Sequence, residues 1–408
     1  MRKISADLIY TISSDPIPNG IVTIDDDGTI LDVSPASNEE HSDAEYYTGI
    51  ICPGFINTHC HLELSHFRGQ IAEKAGMTGF IKELLSKRPG FSAEEISRGI
   101  EEAEAEMIRN GIVAVGDISN DNSSFSQKAK GNLCYHTFIE VFDLHPSQAE
   151  KVFGNALALK AELKSLESTH ASLSCSIVPH APYTVSEKLF ALVAEEAAKS
   201  PFPQSIHNQE SAGESELFLS GSGPMFEAFQ RMNVDMQFFP ATGLNSLRTT
   251  FPRLSKQQNL LLVHNTFTSF EDLQWAQEQM KSSITSGLQP PASQLYWCTC
   301  PNANLYIEDK LPDYHAFIRA HAKMTIGTDS LASNHSLSVL DELKAIESHQ
   351  PGIPLKALLT WATKNGAELL GLDKNLGTIE KGKKPGLNLL SNIEKETISA
   401  GTQVLKLI

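Results

Sequence analysis

Eight short apolar stretches, most of them separated by a segment long enough for a helix, constrain this chain more than anything else in it. They are Phe55–Thr58, Ile112–Ile118, Tyr135–Phe142, Leu173–Val178, Gln204–His207, Leu260–His264, Gln294–Cys300 and Lys323–Gly327. A strand that returns through a helix must run parallel to its predecessor. Eight such units over residues 55–329 match a closed (β/α)8 TIM barrel in the α/β class. An open doubly wound sheet is the structural alternative, but the glycine-rich dinucleotide fingerprint that such a sheet often carries is missing.

The intervening stretches read as helices over Gly79–Lys87, Ser92–Asn110, Ala149–Leu166, Glu187–Lys199 and Glu214–Arg231, with further helices over Leu340–His349 and Pro354–Leu370. Ser92 with Glu95 three residues on forms a capping box, and Asn110-Gly111 is its stop. Outside the barrel, Ile4–Ile12, Gly20–Ile24 and Thr29–Val33 read as strands, with Asp25-Asp26-Asp27-Gly28 as a turn. Near the other end, a turn-rich stretch from Gly377 to Gly386 leads to a strand at Leu387–Leu390. The two ends are expected to pair as a small β-sandwich domain over residues 1–54 plus 372–408, leaving 55–371 as the metal-binding barrel. The apolar run from Gly49 to Ile56 reads as one buried strand leading to two histidines.

Composition narrows the function classes. A formal charge of −16 over 408 residues argues against a nucleic-acid partner. The N-terminus has no apolar core of a signal peptide, and no run approaches 18 apolar residues, so no membrane partner is expected. The six cysteines (52, 60, 134, 175, 298 and 300) lie mostly within apolar runs, which suits reduced thiols in a cytoplasmic protein. Cys298-Thr299-Cys300 is the one pair spaced closely enough to suggest a metal or redox site.

The chemistry gathers where the strands end, which in a barrel is the catalytic rim. Strand one ends in His59 and His61, whose alternation puts both imidazoles on one face. Strand four ends in His180, strand five in His207, strand six in His264 and strand eight in Asp329. One histidine after an apolar strand is ordinarily a satisfied core residue. Four strands ending in histidine and one in aspartate, all meeting at one rim, suit a divalent metal with a position left for water. Glu210, three residues after His207, is placed to shuttle a proton; its structural alternative is a helix N-terminal carboxylate.

These motifs resemble the amidohydrolase superfamily, in its branch of mononuclear-metal deaminases and chlorohydrolases, over nearly the whole chain. The resemblance is carried by Pro53-Gly54-Phe55-Ile56-Asn57-Thr58-His59-Cys60-His61, by His207 with Glu210, by His264, and by Thr328-Asp329-Ser330. His180-Ala181-Pro182-Tyr183-Thr184 resembles a substrate-binding loop, and Cys300-Pro301-Asn302-Ala303-Asn304-Leu305 the loop after strand seven. It implies one divalent ion, Zn2+ before Fe2+ or Mn2+, on His59, His61, His207 and Asp329. It implies Glu210, His264 and Asp329 as catalytic residues. Hydroxide attacks an amino-bearing ring carbon, Glu210 protonates the adjacent ring nitrogen, and Asp329 passes the hydroxide proton to the departing amine. His264 and the metal stabilise the developing charge. A small-molecule substrate and a homodimer are implied as partners.

The stretch His59-Cys60-His61-Leu62-Glu63-Leu64-Ser65 resembles, more narrowly, the aminofutalosine deaminases of the menaquinone pathway. That implies 6-aminodeoxyfutalosine as substrate, with adenosine, methylthioadenosine and S-adenosylhomocysteine as near alternatives. Glu63, His180 and Glu210 would then bind it, Glu63 by accepting from ribose hydroxyls or the purine edge. The competing reading of Glu63 is a structural ion pair with Arg68. Two other functions compete: a hydrolase of triazines or chloro-heterocycles at the same metal site, and a non-catalytic barrel used for binding, which would have lost some of these ligands.

Overall fold

The computed structural model describes residues 1–35, 43–166, 173–234, 241–285 and 293–408. Five strands come first: β1 (Arg2–Ile9), β2 (Ile17–Pro18), β3 (Gly20–Ile24), β4 (Ile30–Pro35) and β5 (Glu45–Pro53). Eight more follow at the expected places: β6 (Phe55–Cys60), β7 (Ile112–Ser119), β8 (Cys134–Val141), β9 (Leu173–Pro179), β10 (Gln204–Asn208), β11 (Leu260–His264), β12 (Leu295–Thr299) and β13 (Lys323–Ile326). Two close the chain, β14 (Leu387–Ser391) and β15 (Gln403–Lys406).

The eight central strands are all parallel and form two four-stranded arcs, β6-β7-β8-β9 and β10-β11-β12-β13. Two seams join the arcs into a (β/α)8 barrel. At one, the His207 N–H donates to the His180 carbonyl at 3.0 Å. At the other, the His59 carbonyl accepts from Thr328 N–H at 3.0 Å and Asp329 N–H at 3.1 Å, and Cys60 bridges Asp329. Every residue of β6, β10, β11 and β12 is buried, as a parallel strand covered on both faces requires. Alternate residues divide between two apolar clusters. Val115, Ile139, Ile177, Leu262 and Trp297 pack with helix residues such as Ile100, Leu189 and Leu340. Ala114, Phe138, Val178, Leu261, Val263 and Tyr296 make the second cluster.

The run from Gly49 to Ile56 is two strands, not one. β5 ends at Pro53 and β6 begins at Phe55, and they belong to different sheets. Gly54 makes the corner: a Cβ there would lie 2.4 Å from Val113 Cγ1 and 2.7 Å from the Pro385 carbonyl. β5 pairs parallel with β1 and antiparallel with β14, so strands from both chain ends share one seven-stranded sheet. The turn before β14 reaches the edge strand β4, with Ile30 N–H donating to the Lys383 carbonyl and Gly382 N–H to the Ile30 carbonyl, both at 2.8 Å. Ile4, Ile9, Val22, Ile24, Ile51 and Leu389 pack together in one apolar cluster.

Ser92 caps the helix Ala93–Arg109 with the full capping box, and Asn110 ends it. Two stretches that read as single helices are broken. Ala212–Ser220 and Pro224–Arg231 are separated by Gly221 in the left-handed region at φ 66°. Leu355–Ala362 and Lys364–Leu370 are separated at Thr363, whose hydroxyl donates to the Leu359 carbonyl at 2.6 Å. Among the described residues, no helix is long and apolar enough to cross a membrane.

The barrel wall is tightest where two strands pass at Gly116 in β7. An added Cβ would meet the Thr58 carbonyl oxygen at 2.6 Å and Phe138 at 3.0 Å. Gly116→Ala is therefore expected to destabilise by about 1–3 kcal/mol, as overpacking does. A lowered urea midpoint with unchanged m-value checks it; an unshifted midpoint contradicts it.

Candidate active site

Each barrel strand delivers its polar residue to the same rim, because the parallel arrangement puts all eight C-terminal ends on one side. The imidazoles converge as the strand ends do. His59 lies 4.9 Å from His61 and 4.9 Å from His207, ring centre to ring centre, and 5.6 Å from His264. His207 and His264 stack at 5.4 Å, and His180 lies 4.8 Å from His207. Asp329 Oδ1 is 3.6 Å from His59 Nε2 and 3.4 Å from His61 Nε2. The expected ligands thus fall in overlapping groups: His59, His61 and Asp329 in one, His59 and His207 with His264 in another, and His207 with Glu140 and His180 in a third.

Several strand ends need unusual backbone to present these groups. His264 has φ 70°, Asn265 58°, Asp329 56° and Gln209 46°. Left-handed non-glycine residues cost of order 1–3 kcal/mol each and persist only where their surroundings over-determine them. Asn265 shows how. Its Nδ2 donates to the Leu262 and Cys298 carbonyls at 2.8 Å each, and its Oδ1 accepts from Asn208 Nδ2 at 2.9 Å. Asp329 Oδ2 accepts from the Ser333 hydroxyl, and the Asn57 and Thr328 side chains bond at 2.7 Å behind it.

The donor set fits a cation. His59 is fully buried, and neither of its ring nitrogens has a hydrogen-bond partner; His61 Nδ1 is buried and unpartnered as well. Buried polar atoms are nearly always paired, so nitrogens left unpartnered in one cluster call for a group that accepts lone pairs. His207 Nδ1 donates to the His180 carbonyl at 2.7 Å, which leaves Nε2 as the free lone pair. Burial pushes His61 down to about 3, His180 and His264 down to about 4, and His207 well below the usual range. All four are neutral at pH 7, the state that metal binding needs. Burial alone would raise Asp329, but the adjacent His59, His61 and His264 outweigh it and hold the carboxylate below its usual range.

Glu210 differs from Asp329 in kind. It is buried, its Oε1 lies 3.4 Å from His264 Nε2, and burial together with the charges of Asp329, Glu214, Glu308 and Glu140 raises it well above the usual carboxylate range. Its surroundings therefore favour the protonated form. The helix-terminal role belongs to its neighbour: Glu214 accepts from Gln209 N–H at 3.0 Å and Glu210 N–H at 3.1 Å. His264 Nδ1 faces Asn304 Oδ1 at 2.9 Å, so the helix Pro301–Glu308, which stands where a loop was expected after β12, fixes its tautomer. His180 Nδ1 bonds the Thr184 hydroxyl at 2.7 Å.

Glu63 is not paired with Arg68. Arg68 pairs with Glu106 and donates to the His335 carbonyl. Glu63 Oε2 instead accepts from Asn120 N–H at 2.8 Å and Asp121 N–H at 3.3 Å, while its Oε1 is buried and unpartnered. Burial raises it to about 8. Sequence reading missed Glu140, at the end of β8. It is buried, its Oε1 is 3.4 Å from His207 Nδ1, and its Oε2 accepts from Asn120 Nδ2 at 3.0 Å. The available signal was a lone carboxylate inside the apolar run Phe138-Ile139-Glu140-Val141-Phe142. Cys298 and Cys300 are free, buried thiols packed round Gly327, and neither joins a metal-capable cluster among the described residues.

Known proteins with the same features bear on this site. The Helicobacter pylori adenosine deaminase is 29% identical over 88% of this chain and 83% of its own length. The Deinococcus radiodurans aminodeoxyfutalosine deaminase is 26% identical over 91% of this chain and 86% of its own. The crystal structure of Helicobacter pylori aminofutalosine deaminase in complex with methylthio-coformycin superposes with a TM-score of 0.82 at 27% identity, covering 97% of this chain and 94% of that one. The profile of the amidohydrolase family matches residues 50–404, which span β6 to β13 and every site residue above. With a (β/α)8 barrel, a ring of neutral imidazoles round one carboxylate and this match over most of its length, the chain belongs to the amidohydrolase family.

Proposed function

We propose that the chain is a metal-dependent aminohydrolase that releases ammonia from an adenine-like ring, with 6-aminodeoxyfutalosine as its substrate. The observation that carries this reading is the pairing of opposite carboxyl states at one rim. Glu210 is pushed toward its protonated form, and Asp329, beside His59 and His61, toward its ionised form. Two carboxyl groups pushed apart in this way serve as proton donor and proton acceptor. The substrate class is supported by the similarity to adenosine and aminodeoxyfutalosine deaminases and by the His61-Leu62-Glu63-Leu64-Ser65 stretch.

His59, His61, His207 and Asp329 would hold one divalent ion, zinc by our reading. When bound, such an ion supplies Lewis acidity and lowers the pKa of a water toward about 7. The chain's own groups do the rest. Glu210 gives its carboxyl proton to the ring nitrogen next to the amino-bearing carbon, which makes that carbon electrophilic. Asp329 takes a proton from the attacking water and delivers it to the leaving amine. His264, its Nδ1 committed to Asn304, keeps Nε2 toward the reacting centre. His180 and Glu63 would bind the substrate, Glu63 through its unpartnered Oε1 to a ribose hydroxyl or the purine edge.

Glu210→Gln keeps the shape and removes the proton. Turnover is expected to fall by about 10²–10⁴-fold while metal content is unchanged; near-native turnover would remove the assignment. The pH profile has a definite sign. Glu210 acts protonated, so kcat is expected to decline as pH rises through its raised pKa. A profile flat up to the pH of unfolding contradicts that role. The substrate class is tested by ammonia release from the metal-loaded protein with 6-aminodeoxyfutalosine, adenosine, methylthioadenosine, S-adenosylhomocysteine, cytosine, pterins and triazines. Turnover of the adenine compounds is expected; a response confined to the other rings would end the proposal.

A further inference from the structure

Two charged residues that no catalytic step uses are buried completely. Asp117, near the end of β7, and Lys128, in the short helix Phe125–Lys128, are both fully inaccessible, and Lys128 Nζ lies 2.6 Å from Asp117 Oδ2. The ammonium also donates to Ser119 Oγ at 2.9 Å and Thr137 Oγ1 at 3.1 Å, so all three of its N–H groups are engaged. Replacing a buried ion pair by apolar residues is often neutral or stabilising, so stability alone is a poor reason for this one.

The free oxygen of the pair points to another reason. Asp117 Oδ1 accepts from Leu62 N–H at 2.8 Å. Leu62 opens the short 3-10 helix Leu62–Phe67, and the first N–H groups of any helix need acceptors from outside it. The residue placed to cap it is His61, which makes no side-chain cap bond; its imidazole is turned to the rim, with Nε2 3.4 Å from Asp329. The strand ladder does not help either. β6 slips register against β7 between Asn57 and Cys60, and pairing resumes only with Cys60 opposite Asp117. Asp117 therefore grips the chain on both sides of His61, through its backbone at Cys60 and its carboxylate at Leu62. Glu63 answers from the other side by accepting from Asn120 N–H.

We propose that Asp117, locked by Lys128, is the positioning residue that holds His61 toward the metal by capping the turn that His61 cannot cap for itself. This rests on the metal site proposed above. The proposal separates charge from hydrogen bonding. Asp117→Asn with Lys128→Met is neutral and keeps a carbonyl for Leu62 N–H. Asp117→Leu with Lys128→Met is equally neutral and lacks it. Leu62→Pro deletes the same N–H from the other side, and proline is tolerated at the first position of a helix.

The test uses the whole chain loaded with Co2+ and challenged with excess chelator. The readouts are the release rate, the visible spectrum of the bound ion, and the melting midpoint of the metal-free protein. The Asn/Met protein is expected to release cobalt within about threefold of the wild-type rate. The Leu/Met and Leu62→Pro proteins should release it about 10–100-fold faster, with altered spectra, as loss of a supporting group behind a ligand does. The metal-free Leu/Met protein is expected to melt below the Asn/Met protein, because it leaves the buried Leu62 N–H without an acceptor. Wild-type release from either the Leu/Met or the Leu62→Pro protein overturns the positioning role and leaves the metal site standing. A wild-type chain that takes up no cobalt overturns both.

Discussion

The carbonyl of His59 is the point on which this structure turns. It accepts two N–H groups, from Thr328 and from Asp329, and so closes the barrel between its last strand and its first. The same three residues that close the ring include two of the proposed metal ligands. At the opposite seam the His180 carbonyl does comparable work, taking His207 N–H and His207 Nδ1 together. Barrel closure and site assembly are therefore one event. A slip of one residue at either seam would turn the side chains to the wrong face, so correct register is specified by the strands on both sides.

Gathering these groups is expensive. Four imidazoles are held neutral by burial, Asp329 is held ionised against it, and Glu63, Glu140 and Glu210 are pushed upward by it. Left-handed backbone at His264, Asn265 and Asp329 adds strain. The compensation lies in the apolar layers on either side of the strands and in side chains such as Asn265 and Asn57, which tie one strand end to the next. A metal ion on the orphaned nitrogens of His59 and His61 would remove much of the remaining cost, and this links the site's occupancy to the stability of the fold.

Much of the site was legible because its signal is local. An apolar strand followed at once by a histidine puts that histidine at the barrel rim wherever the barrel exists, so His59, His61, His180, His207, His264 and Asp329 could be placed from the chain alone. Glu210 followed from its spacing to His207. Glu140 was harder to read: a lone carboxylate inside an apolar run marks it locally, but only the packing of the strands brings it to His207. Asp117 and Lys128 carry no local sign of their burial, which depends on contacts among β6, β7, β8 and the turn after His61. The competing reading of Glu63 as a partner of Arg68 rested on nearness in sequence, whereas Glu106, on a later helix, is the residue near in space.

The sequence by itself determined the period: eight apolar strands, the helices between them, and a polar residue at the end of most strands. Those are properties of side-chain alternation and helix length, which act within a few residues. Only the tertiary structure decided which nitrogen of each histidine faces the centre, which carboxyl keeps its proton, and how Gly54 divides one apolar run between two sheets. Each of these depends on desolvation or on a hydrogen bond between residues far apart in the chain. His59 and Asp329 lie 270 positions apart in sequence, and their side chains come within 3.6 Å only because the barrel closes.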